Sequence, residues 1–174
     1  MKQLTQTILK ESLLFLIVAL VLTTGCQQQT DDSKKQVEDN IKMYINVWDE
    51  ILNKGNIDMI DTYFAEDYVN KTVTSSVNGK AEAKDYFGAF IAGFSDINFV
   101  VDEIFGVDDR LIKRWTFNGT HSGEFAGIPA TGNKITLKGV SVSRIVDGKI
   151  SEELDYMDDL GLMQQLGVIP PMDQ

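Results

Sequence analysis

The hydrophobic period of this chain changes at Asp96, and that change decides its fold class. Before it, apolar side chains recur every three or four residues, as on helices buried along one face; after it they alternate, as in strands. In the first part Val37, Ile41, Tyr44, Ile45, Trp48, Ile51 and Leu52 fall along one helical face, while Lys42, Asn46, Asp49 and Asn53 fall on others. Gly55 ends this helix, and Asn56 or Asp58 can cap a short second one that turns Ile57, Ile60, Tyr63 and Phe64 inward. A brief strand fits Tyr68 to Val73. Gly79 then opens a third helix with a wide, mostly aromatic stripe of Tyr86, Phe87, Phe90, Ile91 and Phe94, ending near Gly93 and Ser95.

The second part holds four alternating runs, Ile97 to Phe105, Leu111 to His121, Lys134 to Val146 and Ile150 to Asp158, which read as an antiparallel meander. Asp108-Asp109 and Asp147-Gly148 supply hairpin turns, because these residues accept the positive φ of a tight turn. A Gly- and Pro-containing loop joins His121 to Lys134, and Leu160 to Leu166 form a last helical turn or two before Gly167 and Pro170-Pro171. Helices grouped ahead of strands exclude a doubly wound fold, so the class is α+β. Three N-terminal helices packed on a strongly curved antiparallel sheet leave a hollow at its wide end, and chemistry is expected there.

The N-terminus is of another kind. Lys2 and Lys10 precede a run of about ten apolar residues, Leu13 to Leu22, half of what a bilayer crossing needs but the length of a cleavable signal. Thr23-Thr24-Gly25-Cys26 follows, and small residues before a cysteine resemble the bacterial lipobox, with Thr23 where an aliphatic residue is usual. That resemblance implies a leader over 1–25, lipidation of Cys26, and a palmitate-type membrane anchor in the cell envelope. Gln27 after the cysteine implies the outer membrane where the source has two. Residues 26–36 carry almost nothing to bury and read as a flexible tether, leaving 37–170 as one domain.

Charge and composition narrow the partners. The formal charge is −10, and loss of Lys2, Lys10 and Glu11 with the leader takes it to −11. Such a chain repels phosphate backbones, so no nucleic-acid partner is expected. Cys26 and His121 are the only residues of their types, which leaves no internal disulfide and no metal site of His and Cys ligands.

The stretch Gly119-Thr120-His121-Ser122-Gly123-Glu124-Phe125-Ala126-Gly127-Ile128-Pro129-Ala130-Thr131-Gly132-Asn133 resembles the signature of SnoaL-like polyketide cyclases, often labelled ester cyclases. Trp48 through Asn53-Lys54-Gly55-Asn56-Ile57-Asp58 to Asp67-Tyr68-Val69 is similar to that family's opening, and Asp158-Asp159-Leu160-Gly161-Leu162-Met163-Gln164-Gln165-Leu166-Gly167 to its ending. The resemblance implies a cone-shaped α+β barrel of the nuclear transport factor two-like kind. It also implies cofactor-free and metal-free ring closure by intramolecular aldol condensation, with an aspartate near the end of the last strand as acid and base.

Strict alternation places Glu152, Leu154, Tyr156 and Asp158 on one face of that strand, and because this face carries Leu154 and Tyr156 it reads as the inner one. Asp158 is then the first candidate acid/base and Asp155 the second, should a bulge shift the register; capping the helix at Leu160 is a common job for aspartate and does not exclude the first role for Asp158. His121 shares the parity of Trp115 and Phe117, which points all three toward the hollow and makes His121 a candidate polarising donor. Lys71 and Leu154 stand where relatives often carry histidine and tryptophan, and both are expected to line the substrate pocket with Trp115, Phe117 and Tyr156. No Gly-x-Ser-x-Gly elbow exists, and Ser122 is expected to project to the face opposite His121, which disfavours a nucleophilic triad.

Three functions fit. The first is a lipid-tethered cyclase-type enzyme acting on a small apolar carbonyl compound. The second is a non-catalytic module holding a hydrophobic molecule or a protein partner in the same pocket. The third, by fold analogy alone, is an isomerase or dehydratase using one carboxylate. Homodimers through the outer sheet face are common for this scaffold, and nothing in the sequence fixes one here.

Overall fold

The computed structural model describes residues 32–73 and 75–170. Residues 1–25, read from the sequence as a leader, Cys26, and the first part of the stretch read as a tether lie outside the described residues. Helix α1 covers 32–48 and continues into a wider π turn at Asp49–Asn53. Then come α2 (Met59–Tyr63), β1 (Phe64–Lys71), β2 (Ser76–Asn78), α3 (Gly79–Gly93), β3 (Phe94–Val107), β4 (Arg110–His121), β5 (Lys134–Val146), β6 (Lys149–Met157) and α4 (Asp159–Gln165). Residues 32–36, within the stretch read as tether, are helical and exposed.

Tyr44, Val47, Trp48 and Ile51 form the buried face of α1. Ile45, expected on that face, is 39% exposed at its rim; with 3.6 residues per turn it lies about 100° round from Tyr44, whereas Val47 lies only about 60° away and takes the inner position. Trp48 is the hub of an aromatic core, meeting Phe87 edge to face at 4.8 Å and Phe64 at 6.0 Å. In the π turn Asn53 reaches β3, where its amide acts as a strand neighbour. Its Nδ2 donates to Phe99 O at 3.0 Å and its Oδ1 accepts from Phe99 N at 2.7 Å. β3 is an edge strand, and this pairing occupies part of its free edge.

The sheet runs in the order β2-β1-β6-β5-β4-β3. Strands β3 to β6 make the antiparallel meander, with Asp108 at φ 54° and Asp147-Gly148 at φ 50° and 71° in its tight turns. β1 joins parallel to β6, and β2 covers its other edge; at three residues β2 is too short to show a period. Register shifts in β3 between Ser95 and Asn98, and between Val101 and Glu103, add to the curvature of the sheet about α1 and α3. The loop over 122–133 closes one end. Phe125 packs on Phe90 at 4.7 Å and Phe94 at 5.0 Å, and Gly123 N donates to Gly93 O at 3.0 Å. A Cβ on Gly123 would stand 2.2 Å from Ala92 O, so no larger residue fits this closure.

One further irregularity decides what faces inward. Arg144 pairs with Glu152 but Ile145 pairs with Ile150, so Ser151 is an extra residue bulged out of β6. Ile150 is fully buried before the bulge, and Glu153, three residues on, is fully buried after it.

Candidate active site

Because of the bulge, β6 turns Glu153, Asp155 and Met157 toward α1 and α3. Cross-strand neighbours share a face. Ser143 lies opposite Glu153, Ser141 opposite Asp155, and Lys113 on β4 opposite Ser141, while Asn70 on β1 lies beside Glu153. A polar stripe thus crosses four adjacent strands beneath the aromatic core, and every member of it is buried.

Asp155 is 8% exposed and is held at both oxygens. Asn70 Nδ2 donates to Oδ2 at 2.8 Å, and Ser141 Oγ donates to Oδ1 while accepting from Trp115 Nε1 at 2.9 Å. These donors orient the carboxyl without an adjacent cation in hydrogen-bond contact. Glu153, deeper, accepts from Tyr44 OH and Ser143 Oγ (2.9 Å) at Oε1 and from Tyr68 OH (3.0 Å) at Oε2. Lys113 Nζ stands 3.7 Å from Glu153 Oε1 and 4.0 Å over the Trp48 ring. Burial pushes Glu153 above the ordinary glutamate range and Lys113 below the ordinary lysine range, while each partly restores the charge of the other. Burial and the nearness of Glu153 push the phenols of Tyr44 and Tyr68 far up, so both are donors at neutral pH.

Asp155, Ser141 and Lys113 share the wall of one cavity with Trp48, Leu52, Tyr86, Phe87, Phe90, Phe99, Trp115, Phe117, Leu137 and Met157. Its volume, swept by the centre of a water molecule, is about 50 Å³, room for a few waters. Tyr86, Phe90 and Met157 are only half-buried and mark the side on which it meets solvent. Among the described residues no group of three or more His, Cys, Asp or Glu side chains is placed to hold a metal ion. A carboxyl poised in a small, mostly apolar cavity is suited to moving protons on and off carbon next to a carbonyl.

The profile of the SnoaL-like polyketide cyclases matches residues 40–166 of this chain. The chain belongs to that family. It is 31% identical to nogalonic acid methyl ester cyclase of Streptomyces nogalater over 127 residues, covering 70% of this chain and 93% of that one. It is 27% identical to aklanonic acid methyl ester cyclase DauD of Streptomyces sp. (strain C5) over 123 residues, covering 68% and 76%. Among solved structures, a SnoaL-like protein from Jannaschia sp. CCS1 superposes with a TM-score of 0.70 at 20% identity, covering 78% of this chain and 95% of that one. TsrD from Streptomyces laurentii gives 0.65 at 24%, covering 76% and 96%. Both are likenesses of fold.

In this SnoaL-like domain the residues singled out from sequence separate into two groups. Trp115, Phe117 and Asp155 line the cavity. The inward face expected for Glu152, Leu154, Tyr156 and Asp158 is corrected by the Ser151 bulge: Leu154 is half-buried, Tyr156 is 52% exposed, and Asp158 points to solvent. Asp158 caps α4 instead, its Oδ1 accepting from Gly161 N at 2.9 Å. Lys71, expected in the pocket, ends β1 exposed. His121 is fully buried on the parity of Trp115 and Phe117 but serves the closing loop rather than the cavity wall: Thr131 N donates to its Nδ1 at 3.3 Å, and Thr131 Oγ1 lies at 3.0 Å. The group sequence reasoning missed is Lys113, Glu153, Ser141, Ser143 and Asn70. One signal was available for two strands: Lys113 has the parity of Trp115, and the two serines have that of Leu137 and Ile145.

Proposed function

We propose that this SnoaL-like domain is a cofactor-free catalyst of the cyclase type, closing a ring in a small apolar carbonyl compound by aldol-type proton transfer, with Asp155 as acid and base. The observation that carries this is the position of Asp155, buried in an apolar cavity with both oxygens held by Asn70 and Ser141. Asp155 takes a proton from the carbon beside a carbonyl, the resulting enolate carbon attacks a second carbonyl of the same molecule, and the proton is returned to the new hydroxyl. The enolate oxygen develops its charge in a cavity whose one cationic side chain is Lys113. Two methyl ester cyclases among the relatives support the reading.

The test is to incubate the purified protein with nogalonic and aklanonic acid methyl esters and follow ring closure by chromatography. Wild type is expected to convert one of them, and Asp155→Asn to be slower by about 10²- to 10⁴-fold with unchanged circular dichroism. Equal rates in the two proteins would refute Asp155 as the acid/base. The mostly aromatic and aliphatic wall of the cavity supports one second reading, a binding module: retention of a hydrophobic molecule without turnover in either protein would establish it.

We also propose that Cys26 is lipidated after removal of 1–25, so that the domain works tethered to the cell envelope, at the outer membrane in a source with two. The short apolar run and the small residues ahead of Cys26 support this. Metabolic labelling with palmitate should mark the wild type and not Cys26→Ser; label retained by the variant would overturn it.

A further inference from the structure

We propose that Lys113 captures the carbonyl group of the ligand covalently, as an imine, and that Glu153 moves the protons of that step. This rests on the reading of the ligand as a carbonyl compound.

The geometry differs from that of a structural ion pair. Lys113 and Glu153 side chains are 4% and 1% exposed, yet their nearest N–O separation is 3.7 Å, longer than a hydrogen bond. A pair so buried usually persists through close, well-satisfied geometry. Glu153 gets its satisfaction elsewhere, from Tyr44, Tyr68 and Ser143. The amine is left on the wall of the cavity, its Nζ set over the rings of Trp48 at 4.0 Å, Tyr44 at 4.8 Å and Phe99 at 5.5 Å. Asp155 lines the same cavity, so a carbon attached to an imine on Lys113 has a base beside it.

The environment suits the chemistry. Only a neutral amine attacks a carbonyl, and burial lowers Lys113 while raising Glu153, which moves both toward the uncharged pair of amine and carboxylic acid. The Lys113 nitrogen forms a bond to the carbonyl carbon, and the carbonyl oxygen takes the Glu153 proton to become a hydroxyl. The nitrogen gives a proton to the Glu153 carboxylate. That proton then passes to the hydroxyl, which leaves as water while the nitrogen lone pair closes the C=N bond. Asp155 removes the proton from the neighbouring carbon, and the electrons move onto nitrogen as an enamine rather than onto oxygen as an enolate. Addition of water after ring closure restores the carbonyl and the free amine, so no oxidant or reductant enters.

The probe is 2,4-pentanedione, a small β-diketone whose adduct with an amine is stable and absorbs in the near ultraviolet. The purified full chain is treated at neutral pH, then weighed intact and mapped by peptide mass spectrometry. The expected result is one adduct per chain, a gain of one diketone less one water, on Lys113 ahead of exposed lysines such as Lys71. Asp155→Asn should still form it, Lys113→Met should not, and Glu153→Gln should form it at least tenfold more slowly. Wild-type mapping alone decides the matter should a variant fail to fold: label on exposed lysines with Lys113 unmodified overturns the proposal. The adduct needs no turnover, so ring closure lost in Asp155→Asn with Lys113 unlabelled leaves the cyclase reading standing and removes only this one. Labelled Lys113 in a protein that closes neither ester does the reverse.

Discussion

The indole N–H of Trp115 donates to Ser141 Oγ across 2.9 Å, and Ser141 passes its own proton toward Asp155. A core aromatic ring is thereby tied, through one hydroxyl, to the carboxyl that the cavity surrounds. Ser141→Ala leaves the buried Trp115 donor unpaired and frees one Asp155 oxygen. The expected cost is about 1–3 kcal/mol in urea unfolding, with ring closure slowed at least tenfold. A variant as stable and as active as wild type would mean that the hydroxyl neither supports Trp115 nor aims Asp155.

Lys113 and Glu153 should be strongly coupled in stability. Glu153→Gln strands the buried amine without its carboxyl and weakens the hydrogen bonds from Tyr44, Tyr68 and Ser143, at an expected cost of about 1–3 kcal/mol. Adding Lys113→Met removes the stranded group, so the double variant should recover at least half of that loss. Urea midpoints of the four proteins give the coupling; simple additivity would show that the two groups do not sense each other.

The pH dependence of Glu153 has a definite sign. Burial, above all, holds its carboxyl above the ordinary 4.5, so over the range from there up to its raised value the folded chain keeps a proton that the unfolded chain has released. The stability from this source is whole below 4.5 and is lost as pH rises through the folded-state value. Measured in Lys113→Met, where no amine titrates beside it, the advantage of Glu153 over the E153Q variant should shrink as pH rises from about 4 to about 8. An advantage that stays flat or grows would contradict a carboxyl kept protonated by burial.

Asp158 supplies a contrast with Asp155, three residues further along the chain. Asp158→Ala removes the acceptor for Gly161 N and should cost about 0.5–2 kcal/mol of stability while leaving ring closure intact. Thermal unfolding and turnover, measured on the same preparation, separate this from a chemical role; turnover lost in a folded Asp158→Ala would assign one.

The order of helices and strands was legible because each long element carries its own period over several residues. β2 was not, since three residues carry none, and its place follows from the edge that β1 offers. The cavity was legible in part: Trp115 and Phe117 announce the inner face of β4 by size and alternation. Glu153 and Lys113 stayed hidden because a charged residue in a strand ordinarily marks the solvated side, and only their partners on β1, β5 and α1 make their burial tolerable. The face of β6 was misassigned for a related reason. Its bulge is set by pairing with β5, a relation between strands that the pattern of one strand does not contain.

That bulge has a consequence for how such domains diversify. Were Ser151 drawn into regular pairing instead of bulging out, the downstream pleat would present a leucine and a tyrosine to the interior and hand both acids to the solvent, leaving a greasy receptacle in place of a reactive one. Within a single scaffold, the distance between holding a molecule and transforming it is then one step of strand register, and it is crossed by whether a single residue joins the ladder rather than by changing any side chain that does the chemistry.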